Sequence, residues 1–326
     1  MSHPAPLLLT GASGWFGRTA LHVYEQAHGP EALRREVIPF ASRERWVEFG
    51  SSHGPVKAHP LEAILDVSNP GGLLHLAFLT RDKVEELGHG RYVAGNRAIM
   101  ATLARLLQAW PAMPVVATSS GAAAALDGLP ADLAGNPYAT LKQEEEVLLE
   151  RQGATRMAVV FRVYAASGRF MTRPQKFALG DLILQGLRGE PLRVKAPHAV
   201  WRSYGSVEQL MQLSWLLLQG GPDLAGGPGF RRLDACGPAV ELAELAAGVA
   251  AALGASLAPR TISSAAGDHY GGDGEAFAPL LHRHGLTPRS LRQQIADTIS
   301  GLRLTRARLQ HSHPGIAQDA FGPGPP

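Results

Sequence analysis

The chain has 326 residues, of which 45 % are hydrophobic, and a formal net charge of +3. That length buries one long core or two smaller ones, and its dispersed charges leave no clustered footprint for nucleic acid. No stretch nears the roughly 20 apolar residues of a membrane span, MSHPAPLLLT lacks the basic flank of a secretion signal, and the single cysteine, Cys236, excludes an internal disulfide framework; a cytoplasmic location is expected.

Taken in chain order, PLLLTG reads as a buried strand and FGRTALHVYEQA as the helix after it. EVIPFAS is a second strand, and the segment from Arg43 to Leu73 reads as loop. GLLHLAFL is the next strand, followed by a helix through GNRAIMATLARLLQAW; then come the strand MPVVATSS, the helix PYATLKQEEEVLLER and the strand RMAVVFRVYA. Apolar strands alternating with amphipathic helices predict an α/β fold, a doubly wound parallel sheet of Rossmann type covered on both faces.

After Gly168 the elements shorten: a helix near Phe177 to Leu187, then PLRV, VWRSYGS, a helix from Val207 to Leu218, and FRRLDACG. Two further helices are expected, in AVELAELAAGVAAALG and from Pro288 onward. In the last of these Leu291, Ile295, Ile299 and Leu302 recur at helical spacing, which makes the arginines of LRLTRARLQ its solvated face. We therefore expect a dinucleotide-binding domain over 1–168, a smaller substrate-binding lobe over 169–310 with some segments returning to the sheet, and a flexible tail over 311–326.

Two constellations carry chemistry. Gly11, Gly14 and Gly17 sit between a strand and a helix, where glycines let the backbone approach a pyrophosphate held by free N–H groups at the helix N-terminus. A structural strand–helix turn is the plainer alternative. In NPYATLK, Asn136 is a natural N-cap and Pro137 a natural first helical residue, so Tyr138 and Lys142 share one helix face. An ammonium there is expected to bring a phenol, ordinarily near pKa ~10, toward the working range. Ser119 and Ser120 end the preceding strand, at the sheet edge where open α/β sheets bind ligands.

TGASGWFG, LLHLAF, TSS with YATLK, FRVYAASG and RSYGSVEQL, in that order, resemble the extended branch of the short-chain dehydrogenase/reductase superfamily, the NAD-dependent epimerase/dehydratase family. The resemblance runs from about Leu7 to Ile299. It implies an NAD(P)-dependent oxidoreductase that moves a hydride to or from a carbonyl or alcohol of a small polyhydroxylated or nucleotide-linked substrate. In it Tyr138 is the acid–base residue, Lys142 its partner and a ribose ligand, and Ser120 a hydrogen-bond donor to the substrate oxygen. Gly11, Ser13, Gly14, Trp15, Phe16, Gly17 and Ala77 would line the cofactor, and Asn96 and Arg202 the substrate. Ser42 and Arg43, standing where users of NAD place an acid, imply NADP, with NAD the alternative and Glu44 as a late acidic residue. Ala165 and Ala166 replace residues that help hold a nucleotide sugar. The alternatives are a nucleotide-sugar epimerase with a tightly bound cofactor and a non-catalytic dinucleotide-binding regulator. The resemblance also implies a homodimer through the helices around Ala98–Leu107 and Leu141–Leu149, with Leu103, Leu106 and Leu107 as candidate face residues or as core. His282 with His284, and His311 with His313, lack the further ligands of a metal site and read as surface. DHYGGDG reads as a solvent loop.

Overall fold

The computed structural model describes residues 5–220, 227–264 and 266–312. The first strand, β1 (Leu7–Thr10), leads through the glycine loop into α1 (Trp15–His28), α2 (Pro30–Glu36) and β2 (Val37–Ala41). Then come β3 (Arg45–Val47), β4 (Val56–Pro60), a 3-10 turn (Leu61–Asp66), β5 (Gly72–His75), α3 (Lys83–Leu87) and α4 (His89–Ala109). The series continues with β6 (Val115–Ser120), α5 (Gly121–Ala124), α6 (Pro137–Gln152) and β7 (Met157–Val163).

These strands and the later β10 (Gly229–Asp234) form an eight-stranded sheet in the order β10-β7-β6-β5-β1-β2-β4-β3. It is parallel except for the edge pair β3 and β4. The order reverses at β1, which has β2 on one side and β5 on the other, so the crevice above β1 and β5 is the switch point where such sheets bind ligands.

The alternation of side chains along each strand builds two cores. Leu7 and Leu9 face one layer, together with Leu21 and Tyr24 of α1. Leu8 faces the other, with Leu103, Leu106 and Leu107 of α4 and Leu149 of α6. The three α4 leucines are at most 3 % exposed, so they are core and cannot form a face toward a second subunit. The segment 43–73 also departs from the loop expected there. Val56 and Ala58 of β4 and Val47 of β3 point inward and are buried, while the intervening polar residues hide that period of two.

Beyond β7 the chain serves both bodies. Ordered along it are β8 (Ala165–Ser167), a 3-10 turn (Pro174–Lys176), α7 (Ala178–Leu187), β9 (Val200–Ser206) and α8 (Val207–Leu218). After β10 follow β11 (Ala239–Glu241), α9 (Leu242–Leu253), β12 (Asp268–Tyr270), α10 (Phe277–Arg283) and α11 (Leu291–Ser312). The α8 helix returns to the sheet and packs on α1, where the Trp215 indole N–H donates to the Ala20 carbonyl at 2.9 Å. The second sheet centres on β9, flanked by β11, β12 and β8. PLRV contributes only an isolated bridge from Leu192 to Leu257. Ile295, Ile299 and Leu302 of α11 are buried. The tail from 313 to 326 lies outside the described residues.

Candidate active site

The glycine loop is shaped by close approach. Gly11 has φ +70°, and a Cβ there would lie 2.6 Å from the Leu76 backbone. A Cβ on Gly17 would lie 2.2 Å from the Gly11 carbonyl oxygen. Both positions therefore let α1 and the segment after β5 close onto the loop. Gly14 differs: it is exposed, caps α1 with extended backbone and no side-chain cap, and a Cβ on it would meet only the Gly11 oxygen at 3.3 Å. The open start of a 14-residue helix is thus left facing the crevice, which suits the diphosphate of a dinucleotide. Ser13 and Phe16 are half-buried beside it. Trp15 is buried against Phe16 and Phe177, so it supports the loop from behind. Past the end of β2, Ser42 and Arg43 are exposed, while Glu44 is paired with Lys57 at 3.0 Å.

The residues expected to carry chemistry lie on β6 and α6. Asn136 caps α6, its side chain accepting from the Ala139 N–H at 3.3 Å, and Pro137 follows in the first turn. This sets Tyr138 at the mouth of the crevice, edge-on to Phe78 with ring centroids 5.8 Å apart. Ser120, the last residue of β6, stands near the Tyr138 phenol, and its hydroxyl pulls that phenol's pKa down. Ser119, one residue earlier and so on the opposite side of the strand, has a buried hydroxyl with no partner among the described residues. Lys142, one turn beyond Tyr138, lies over the Phe78 ring at 3.8 Å and donates to the Thr118 carbonyl at 2.9 Å.

Lys142 has a further partner that sequence reasoning did not single out. Its ammonium donates to Glu145 at 2.8 Å, and the other Glu145 oxygen contacts His75 Nε2 at 3.2 Å. His75 Nδ1 in turn meets the Thr10 hydroxyl at 2.9 Å. Thr10 Oγ1 already accepts from the Leu76 and Ala77 N–H groups, so its own hydrogen goes to Nδ1 and leaves Nε2–H to donate to Glu145. Burial pushes the Glu145 carboxyl up, but the adjacent Lys142 ammonium and the His75 hydrogen bond outweigh it and hold the group below the usual carboxylate range. The Tyr138 phenol is instead held above its ordinary value. Burial is the largest cause, the Ser120 hydroxyl pulls it down, and the Glu145 charge pushes it up. This departs from the expected lowering by Lys142, whose charge is already answered by Glu145.

The remaining expected residues divide. Ala77 lies on the segment against the glycine loop, its N–H bonded to Thr10. Asn96 is fully buried, with its amide spent on the Leu79 backbone: Oδ1 accepts from the Leu79 N–H at 2.8 Å and Nδ2 donates to its carbonyl at 3.3 Å. It therefore braces the wall of the crevice and does not reach out for a substrate. Arg202 on β9 is half-buried and paired with Asp268 at 2.5 Å. Arg162 is locked by Glu146 and Asp127, with donor–acceptor distances from 2.5 to 2.9 Å.

DHYGGDG is not the solvent loop expected: its first three residues form β12 beside β9. There the Tyr270 phenol reaches Ser120 Oγ at 3.3 Å and packs on Tyr164 with centroids 5.3 Å apart. Among the described residues no group of three His, Cys, Asp or Glu side chains is placed to hold a metal, and no helix is long and apolar enough to cross a membrane. His282 is exposed and His284 half-buried; the His311 side chain and His313 lie outside what is described.

The family model described as NAD-dependent epimerase/dehydratase matches residues 7–225. No curated protein matches the chain. Among solved structures, MoeE5 in complex with UDP-glucose and NAD is 20 % identical with TM-score 0.67, the alignment covering 92 % of this chain and 99 % of that one. UDP-glucose 4-epimerase from Thermotoga maritima is 17 % identical with TM-score 0.64, over 92 % of this chain and 99 % of that one. WbmF of Bordetella bronchiseptica in complex with NADH is 15 % identical with TM-score 0.68, over 97 % of this chain and 95 % of that one. At these identities the likeness is one of fold.

Proposed function

We propose that this chain, which belongs to the NAD-dependent epimerase/dehydratase family, is a nicotinamide-dependent oxidoreductase that interconverts a carbonyl and an alcohol on a small polyhydroxylated or nucleotide-linked substrate. The observation that carries the reading is that Tyr138 and Lys142 of α6 both pack on Phe78, with Ser120 ending the neighbouring β6, on a fold whose glycine loop opens an uncapped helix start. The bound dinucleotide would supply or accept the hydride. Gly11, Ser13, Gly14 and Phe16 would hold its diphosphate, and Ala77 and Lys142 its nicotinamide end. Ser120 orients the substrate oxygen by a hydrogen bond, and Tyr138 gives that oxygen a proton or takes one from it.

NADP is the favoured form. Exposed Ser42 and Arg43 at the end of β2 offer a hydroxyl and a guanidinium to a 2′-phosphate, while Glu44 is engaged by Lys57. A nucleotide sugar is less favoured, because Arg202 already has Asp268 as a partner and Ala165 offers no polar side chain. The pairing of subunits is proposed to use the outward faces of α4 and α6, where Arg97 and Glu144 make a bidentate ion pair and Val147 is exposed. A monomer at micromolar concentration would contradict it.

The test is NADPH oxidation followed by absorbance across a panel of carbonyl substrates, with wild type and Tyr138→Phe. The reading expects stoichiometric oxidation that Tyr138→Phe abolishes. Interconversion with no net change in cofactor would favour an epimerase, and full retention of turnover by Tyr138→Phe would contradict the assignment.

A further inference from the structure

The Lys142 side chain is 7 % exposed, and the directions around its ammonium are all taken. An ammonium has three N–H donors and no acceptor. One donor goes to the Thr118 carbonyl at 2.9 Å and one to Glu145 at 2.8 Å. The Phe78 ring lies against the nitrogen, 3.8 Å from ring centroid to Nζ, which leaves the third N–H to the ring face. A ribose hydroxyl that is to accept from Lys142 needs an N–H, and the one not held by an oxygen is the one beneath this ring.

The ring can leave that place without the backbone moving. On one side the Ala77 N–H is bonded to Thr10 Oγ1 at 3.2 Å, and on the other Asn96 holds both the N–H and the carbonyl of Leu79. Phe78 between them is half-buried, on a stretch outside helix and strand. A change of its χ1 well therefore uncovers the ammonium while both neighbours stay pinned. The same turn gives up the edge contact with Tyr138, whose centroid is 5.8 Å away.

We propose that Phe78 is a gate on Lys142: in the free protein its ring holds the place on the ammonium that the nicotinamide ribose takes, and the dinucleotide seats when the ring turns aside. The inference rests on the reading of Lys142 as a ligand of the dinucleotide. It gives the effect of truncation a definite sign. Ring and ribose compete for one N–H, so removing the ring tightens nucleotide binding, by about fivefold for one largely desolvated cation–π contact. A side chain that merely shaped the wall of the crevice would loosen the site when truncated.

The experiment is NMR of the full chain labelled at lysine Cε, with Lys142→Met identifying the resonance. Protons over a ring face are shifted upfield, so the Lys142 signal should stand upfield of the other lysines in wild type and lose that displacement in Phe78→Ala. Saturating wild type with NADPH, and separately with NADH, should move the signal the same way. Fluorescence titration should find Phe78→Ala binding the preferred nucleotide about fivefold tighter than wild type. A Lys142 signal that keeps its upfield position in the complex, or an affinity of Phe78→Ala no higher than wild type, overturns the proposal. If Phe78→Ala does not fold, the wild-type signal with and without nucleotide decides alone. An unmoved signal beside binding that Lys142→Met weakens defeats this inference and leaves the functional reading standing. Binding of neither nucleotide, or full affinity in Lys142→Met, defeats the reading of Lys142 and this inference with it.

Discussion

The three loop glycines should respond differently to the same methyl group. In Gly17→Ala the new Cβ would lie 2.2 Å from the Gly11 oxygen, where ordinary contact begins near 3.4 Å, so α1 and the loop must part by more than 1 Å. Both neighbours are backbone, which cannot swing aside as a side chain would. Overpacking of this kind costs about 1–3 kcal/mol, a fall in Tm of several degrees for a chain this long. Gly11→Ala adds a left-handed φ of +70° to a 2.6 Å approach, a further ~1–2 kcal/mol. Gly14→Ala has φ −76° and a single 3.3 Å contact, so the fold accepts it, but its methyl projects over the open helix start. The same overpacking is then felt only by a bound diphosphate and weakens dinucleotide affinity by about tenfold or more. Thermal unfolding with fluorescence titration of NADPH separates the two behaviours. An unaltered Tm for Gly17→Ala, or a destabilised Gly14→Ala with unchanged affinity, would refute the reasoning.

Other outcomes follow from the charged core. Arg162→Met strands Glu146, which is 1 % exposed, and should cost about 3 kcal/mol in denaturant unfolding. That is the lower end of the range for a broken buried pair, since Arg232 remains 3.4 Å from Glu146; a loss below about 1 kcal/mol would contradict it. The hydrogen bond from Arg162 holds Asp127 below the usual carboxylate range. Its folded value is depressed, so that stabilisation is complete above the ordinary 3.8 and is lost as pH falls through the folded value. Unfolding curves below pH ~4 should therefore be less steep in pH for Arg162→Met than for wild type. Asp268→Asn removes the carboxylate from Arg202, which keeps its bonds to the Trp201 and Asp268 carbonyls, and should raise affinity for a nucleoside diphosphate by several-fold in calorimetry; no change would show that the Arg202–Asp268 pair does not oppose that ligand.

The parts of the site legible in the sequence are those written in local patterns. Gly11, Gly14 and Gly17 lie within seven residues, Asn136 and Pro137 announce the helix that carries Tyr138 and Lys142, and Ser120 ends an apolar strand. Glu145 was hidden in QEEE, a run that reads as a solvated helix face, although Glu145 and Glu146 are both buried. Only the partners brought by β5 and β7, His75 and Arg162, explain how those acids go inside. Tyr270 lies 150 residues from Ser120, on a strand of three residues with two exposed, so no periodicity marks it. Leu103, Leu106 and Leu107 fit a helix stripe equally well as core or as interface, and the sheet packed beneath them decides for core.

In the proposed arrangement a nicotinamide dinucleotide lies on the glycine loop with its ribose 2′ position near Ser42 and Arg43 and its reactive end at Tyr138. Fluorescence titration of wild type and Arg43→Ala with NADPH and NADH tests this most directly. Wild type is expected to bind NADPH more tightly, and Arg43→Ala to lose that preference through weakened NADPH binding with NADH unchanged. Tighter NADH binding by wild type would contradict the cofactor assignment, and binding of neither nucleotide would contradict the site.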